Sequence, residues 1–190
     1  MLDRPTPSAP AELSRLSPPA ADALSADVRT LVEANHNENW IRALSLNADT
    51  AKRFVAYFGS LFDPVGGRLP LRERELIAVI VSSTNGCGLC EIHHTNALAD
   101  LIGDAPKARR IALDHHLAPL NVREEALADL AVRITQDPKS VQPADFDELR
   151  TVGFADAEIL EAVETIAWFN HTNRIFISLG VIPDAKYFQR

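Results

Sequence analysis

Residues 75–94 read Glu75-Leu-Ile-Ala-Val-Ile-Val-Ser-Ser-Thr-Asn-Gly-Cys-Gly-Leu-Cys-Glu-Ile-His-His94. Leu76 to Val81 is a run of six apolar residues rich in β-branching, which alone reads as a buried strand. The chain's two cysteines follow, Cys87 and Cys90, with His93 and His94 one turn beyond. Strand, turn and Cys-Gly-x-Cys at a helix start would make a thioredoxin-like arrangement. Two features oppose it. Pro70 and the lead-in Leu71-Arg-Glu-Arg-Glu75 form helix readily. A thioredoxin-like sheet also needs several more strands, and the rest of the chain offers none. Burial can hold a β-branched segment helical. The reading is therefore a helix ending near Asn85-Gly86, then a second starting at or just before Cys87.

Outward from this core the pattern stays helical. From Asp22 onward, Leu24, Val28, Leu31 and Val32 recur at three- and four-residue spacing, until His36-Asn-Glu-Asn39 breaks the series. A helix near Trp40 and another capped by Asn47 follow. Then comes the Asp63-Pro-Val-Gly-Gly67 loop. Asp104 with Pro106 opens a helix to about Asp114, with His115 and His116 read as solvated residues at its end. Asn121 caps the next helix, with Glu124 as reach-back partner. Pro143 to Arg150 is a short helix, and Asp156 to Leu179 a long one closed by Gly180. The first twenty residues carry five prolines and form an extended arm. It is either disordered or pinned by Leu13 and Leu16 across a neighbouring subunit. The expectation is an arm over 1–20 and one all-α domain over 21–190, with a helical hairpin carrying the cysteines.

The composition of these 190 residues, 46% hydrophobic and 24% charged, is that of a globular protein. The net charge of −7, with no basic patch, argues against nucleic acid. No apolar run nears the ~20 residues that span a membrane. The N-terminus lacks the order of a secretion signal, so a cytoplasmic protein is expected. Two cysteines are too few for a disulfide scaffold.

On a helix at ~100° per residue, Cys87, Cys90 and His94 share one narrow stripe, while His93 lies well round from His94. If the two helices pack antiparallel, Glu75 is carried toward the level of His94. The chemistry suits thiol redox work. A thiolate is the nucleophile, and helix-start amides with an adjacent imidazole lower a thiol pKa from its usual ~8.5. A carboxylate behind the imidazole would fix its tautomer. A second cysteine one turn away can close a disulfide before over-oxidation. These considerations favour Cys87, the more N-terminal thiol, as nucleophile. A zinc site of Cys87, Cys90 and His94 is one weak alternative, short of the four ligands a closed site needs. Asn170, Asn173 and Arg174 sit at i, i+3 and i+4 in the long helix. They form either a structural network or subunit contact, or a border of the cysteine pocket. His-Thr-Asn occurs twice, at His94–Asn96 and His171–Asn173.

Glu75, Cys87, Cys90 and His94 at this spacing resemble the alkylhydroperoxidase AhpD-like core of the carboxymuconolactone decarboxylase superfamily. Ala167-Trp-Phe-Asn170, Asn173-Arg174 and Leu179-Gly-Val181 look like the C-terminal segment of its uncharacterised peroxidase-related branch. The resemblance implies an all-helical homo-oligomer that reduces hydroperoxides through a Cys87–Cys90 disulfide; the alternatives are a thiol-disulfide oxidoreductase without peroxidase activity and a non-enzymatic redox-sensing helical oligomer. The resemblance implies a peroxidatic Cys90, a resolving Cys87, and a proton relay through Glu75 and His94. It implies no bound cofactor or metal; the disulfide is regenerated by an external dithiol, lipoamide-linked in some members. Leu89 stands where AhpD itself has a second His between the cysteines, which shortens the relay.

Overall fold

The computed structural model describes residues 13–189, and among them there are helices but no strands. The Pro-rich arm therefore lies mostly outside the described residues. From Leu13 onward the chain runs against its own C-terminal segment: Leu13 is buried, its carbonyl accepts the Ile182 amide at 2.9 Å, and Leu16 is exposed.

The first α-helix, α1 (Ala26–Ala34), starts later than the apolar spacing suggests. Ala21–Ala23 is a single 3-10 turn, and Ser25, with extended backbone, precedes the helix. Serine at that position favours a start there. His36 and Asn37, both at positive φ, make the expected break before α2 (Asn39–Leu44). In α3 (Ala48–Leu61) the Asn47 side chain accepts the Thr50 amide at 3.0 Å.

The deciding stretch is helical. It forms α4 (Leu71–Asn85) and α5 (Gly88–Ile102), joined by Gly86 and Cys87. Every residue of α4 from Glu73 to Ser82 is buried. That explains the run that imitates a strand: this helix is covered on all sides, by α5 and by α6 (Ala105–Leu113), α7 (Val122–Gln136) and α9 (Asp156–Leu179). A fully enclosed helix has no polar face and so shows no 3.6-residue alternation. Gly86 ends α4 in the left-handed region at φ 70°, where a side chain would be strained.

The remaining caps follow the sequence. Asp104 accepts the Lys107 amide at 2.9 Å, and Asn121 and Glu124 form a reciprocal capping box. α8 spans Pro143–Thr151, and Gly180 closes α9 at φ 60°.

Buried charges tie the central helix to its surroundings. Arg74, 1% exposed, donates to the carbonyls of Leu61, Asp63 and Gly66 and so holds the α3–α4 loop. Glu161 of α9 receives the Arg68 and Leu69 amides of the same loop. Arg123 bridges Glu73 at 2.9 Å and Glu158 at 2.7 Å, which links α4, α7 and α9.

Candidate active site

The site is set by the α4–α5 junction. Because Gly86 turns the chain back, the Cys87 amide can donate to Ser82 O at 2.9 Å, and Cys87 becomes the residue that precedes α5. Cys90 then falls in the first turn. Both cysteines are free thiols, 1% and 5% exposed, with their sulfurs 3.1 Å apart. The Cys90 thiol is pushed well up by its hydrogen bond to Cys87 and by burial. The Cys87 thiol is held below its ordinary value, first by that same hydrogen bond, against burial, with Asn173 and His94 acting in the same direction. Of the two thiols, Cys87 is the one whose ionisation its surroundings ease.

The Asn173 amide lies beneath the sulfurs, fully buried on α9. Its Oδ1 accepts from Asn85 Nδ2 at 3.0 Å, and its Nδ2 donates to Ser82 Oγ at 3.2 Å. With the carbonyl oxygen taken, the amide's donor side is left for sulfur, and its hydrogen bonds lower both thiols. Asn85 also donates to Asn170 Oδ1 at 3.1 Å, and Asn170 in turn takes Arg174 Nη1 at 2.8 Å. Of the two roles weighed for these three residues, Asn173 borders the thiols, and Asn170 and Arg174 continue the network to the surface. The repeated His-Thr-Asn has no common role: Asn96 donates to the Tyr187 carbonyl at 3.1 Å.

His94 and Glu75, nineteen residues apart, come together across the two helices. Their Nδ1···Oε2 distance is 2.6 Å, with both side chains largely buried. Since a carboxylate only accepts, the Nδ1 proton faces Glu75 and Nε2 is left as the acceptor. Phe169, edge-on at 4.6 Å, and the rings of Phe58 and Phe62 hold the imidazole in place.

His93 points elsewhere. It stacks on Tyr187 at 3.7 Å, and its pKa is lowered to about 4, mainly by burial. Glu38 nearby is held below its ordinary value: burial opposes this, and hydrogen bonds from Lys186, Tyr187 and Trp40 outweigh it. Glu38, His93 and Asp184 approach one another as metal ligands would, as do Asp114, His115 and His116. The Glu38 oxygens, however, are already engaged by those three donors.

A cavity of about 440 Å³ opens on this site. Cys90, His94, Glu75 and Leu89 line one end, and Cys87 does not reach it. Leu89, between the two cysteines, is an apolar part of this wall. The remaining walls come from Trp40 of α2, Phe54 and Phe58 of α3, Trp168 and Phe176 of α9, and the C-terminal turn Ala185–Phe188. The spacing of the sequence could not separate these aromatics from ordinary core. Their one distinguishing signal is the clustering of aromatic residues in two short segments, 54–62 and 168–176.

Residues 48–107 match the model of the carboxymuconolactone decarboxylase family. No curated protein matches the chain. Among solved structures, an uncharacterized peroxidase-related protein from Silicibacter sp. TM1040 is 29% identical. That match covers 96% of this chain and 98% of the other, with a TM-score of 0.89. An uncharacterized peroxidase-related protein with an alkylhydroperoxidase AhpD core, from Ralstonia eutropha JMP134, is also 29% identical, covers 93% and 95%, and has a TM-score of 0.86. The debrominase Bmp8, 21% identical over 93% and 94% at a TM-score of 0.72, shares the fold.

Proposed function

Because this chain belongs to the AhpD-like carboxymuconolactone decarboxylase superfamily, we propose that it is a thiol-dependent peroxidase reducing organic hydroperoxides through a Cys87–Cys90 disulfide. The observation that carries the reading is one constellation. Two sulfurs lie 3.1 Å apart, and Cys90 and the paired His94–Glu75 line the same cavity.

Charge and access fall on different sulfurs. Cys87 is the more readily ionised thiol, but it is 1% exposed and outside the cavity, whereas Cys90 lines it. Access decides the first step, because the peroxide must touch the attacking sulfur. As the Cys90 sulfur attacks the terminal peroxide oxygen, His94 Nε2 takes the thiol proton. The O–O bond breaks, and the alcohol leaves with that proton. Cys90 is now a sulfenic acid. Glu75 orients the imidazole throughout and stabilises its charged form. Cys87, already inclined to ionise, then attacks the Cys90 sulfur, and the displaced hydroxide leaves as water with the Cys87 proton. The two thiols lose two electrons and the peroxide gains two. The sulfurs need to close from 3.1 Å to about 2.05 Å, a small movement at a helix start. An external dithiol on a slim arm, of lipoamide type, restores both thiols by exchange. No bound cofactor or metal enters the cycle.

The same reading extends to assembly and place: a homo-oligomer in the cytoplasm. Leu113, Leu117 and Val122 are 79%, 60% and 67% exposed within a short stretch, and such a patch suits a subunit contact. Among the described residues no helix is long and apolar enough to cross a membrane.

Stopped-flow oxidation of the reduced protein tests the chemistry. Organic hydroperoxide should consume both thiols of each chain. Cys90→Ser should stop the reaction, and Cys87→Ser should stall at a sulfenic acid that a dimedone probe traps. Thiols that ignore every hydroperoxide but exchange rapidly with dithiols would make the protein a disulfide reductase instead.

A further inference from the structure

We propose that the cavity beside Cys90 selects a neutral, ring-bearing organic hydroperoxide over hydrogen peroxide and over hydroperoxides that carry a carboxylate. The proposal rests on the peroxidase reading above and specifies its substrate.

The wall chemistry carries it. Phe54 is the centre of an aromatic cage, its ring centroid 5.6 Å from Trp40, 4.9 Å from Trp168 and 5.5 Å from Phe176. These rings come from three helices, α2, α3 and α9, and with Phe58 they surround the space that leads to Cys90 and His94. A cavity of about 440 Å³ lies within the range of small-molecule sites. It is larger than hydrogen peroxide needs. A substituent that buries a ring there gains both apolar transfer and aromatic contact, at about 25 cal/mol per Å² for the transfer alone. Hydrogen peroxide can make only the polar contacts at the thiol end.

The charges lining the cavity set the second preference. Two buried carboxylates line it, Glu38 and Glu75, against one ammonium, Lys186. That ammonium is committed to Glu38 at 2.6 Å. An anionic tail would lose its water and meet like charge, an arrangement that rejects as effectively as good contacts attract.

Both tryptophans of the chain, Trp40 and Trp168, line the cavity, so binding has a direct optical readout. The probe is 2-phenylpropan-2-ol, the alcohol released from cumene hydroperoxide, which binds without reacting. Titrated into the reduced protein, it should change tryptophan emission saturably, while sodium octanoate should not. In stopped flow, cumene hydroperoxide should oxidise the thiols about tenfold or more faster than either hydrogen peroxide or linoleic acid hydroperoxide. Asp100 is exposed and lines the cavity, so Asp100→Lys places an ammonium there. It should narrow the gap between linoleic acid hydroperoxide and cumene hydroperoxide severalfold. An emission that ignores the alcohol, or hydrogen peroxide oxidising the thiols as fast as cumene hydroperoxide, overturns the proposal. Alcohol binding with no oxidation by any hydroperoxide overturns the peroxidase reading instead and leaves the ligand class in place.

Discussion

Asn173 has no charge and no chemistry of its own, yet its position bears directly on the thiols. Asn85 occupies its carbonyl oxygen at 3.0 Å, so the amide presents hydrogens, and not a lone pair, to the sulfurs. Asn173→Ala should move the lower thiol titration upward, read as thiolate absorbance at 240 nm against pH. An unmoved titration would leave Asn173 a purely structural residue. His93 supports a different prediction. Its pKa in the folded protein is lowered to about 4 from 6.5, chiefly by burial, with His94 and Lys186 opposing its charge and Glu38 favouring it. The unfolded chain therefore binds the proton more readily than the folded one. The resulting destabilisation should begin as pH falls below about 6.5, grow to about 3 kcal/mol near pH 4, and then level off. Glu38 adds to acid lability only near and below its ordinary 4.5. Thermal unfolding followed from pH 7 to pH 4 should show this slope, and His93→Gln should flatten it. Glu75 and His94 were legible at the residue scale as a pair worth joining. Asn85 and Ser82 were not, because their contribution is a contact to another helix.

Among the elements, α4 carries the lesson about pattern. Six apolar residues with β-branching are equally at home in a buried strand and in a helix enclosed on every side, and only the helix-forming lead-in after Pro70 separates the two. The junction that follows depends on one backbone conformation. A Cβ at Gly86 would meet nothing within 4 Å, so the cost of Gly86→Ala comes from its φ of 70° alone. That cost should be about 1–2 kcal/mol, measured by urea unfolding. The substitution should also lower the rate of thiol oxidation, because Gly86 sets where Cys87 enters α5. Wild-type stability in the alanine variant would mean that the junction relaxes without strain. The caps at Asn47, Asp104 and Asn121 were readable because a cap is a contact within three residues. α1 starts only at Ala26, although apolar spacing already includes Leu24, because the backbone is extended at Ser25.

The whole molecule is tied together by ion pairs that join distant segments around α4. Glu73 is 1% exposed, and Arg123 is its principal partner, while Arg72 stands 3.8 Å away and is half exposed. Removing a partner from a buried charge costs more than the pair itself is worth, because the remaining charge stays desolvated. Arg123→Met should cost about 3 kcal/mol in urea unfolding, and adding Glu73→Gln should recover part of it. Strictly additive losses would show that the two side chains act independently. The cavity belongs to this scale too. Its walls come from α2, α3, α4, α5, α9 and the C-terminal turn, elements up to about 150 residues apart in the chain. An aromatic residue at helical spacing looks the same whether it fills a core or lines a void, so the cavity left no mark on the pattern. The sequence by itself determined the all-helical class, the caps, and the spacing that brings Cys87, Cys90 and His94 to one region, since each is a matter of short-range geometry. Only the tertiary structure decided that Cys90 and not Cys87 faces the cavity and that Asn173 lies under the sulfurs. It also decided that aromatic rings, with a surplus of carboxylates, surround the approach. Those outcomes depend on how separately folded helices pack, which no local pattern encodes.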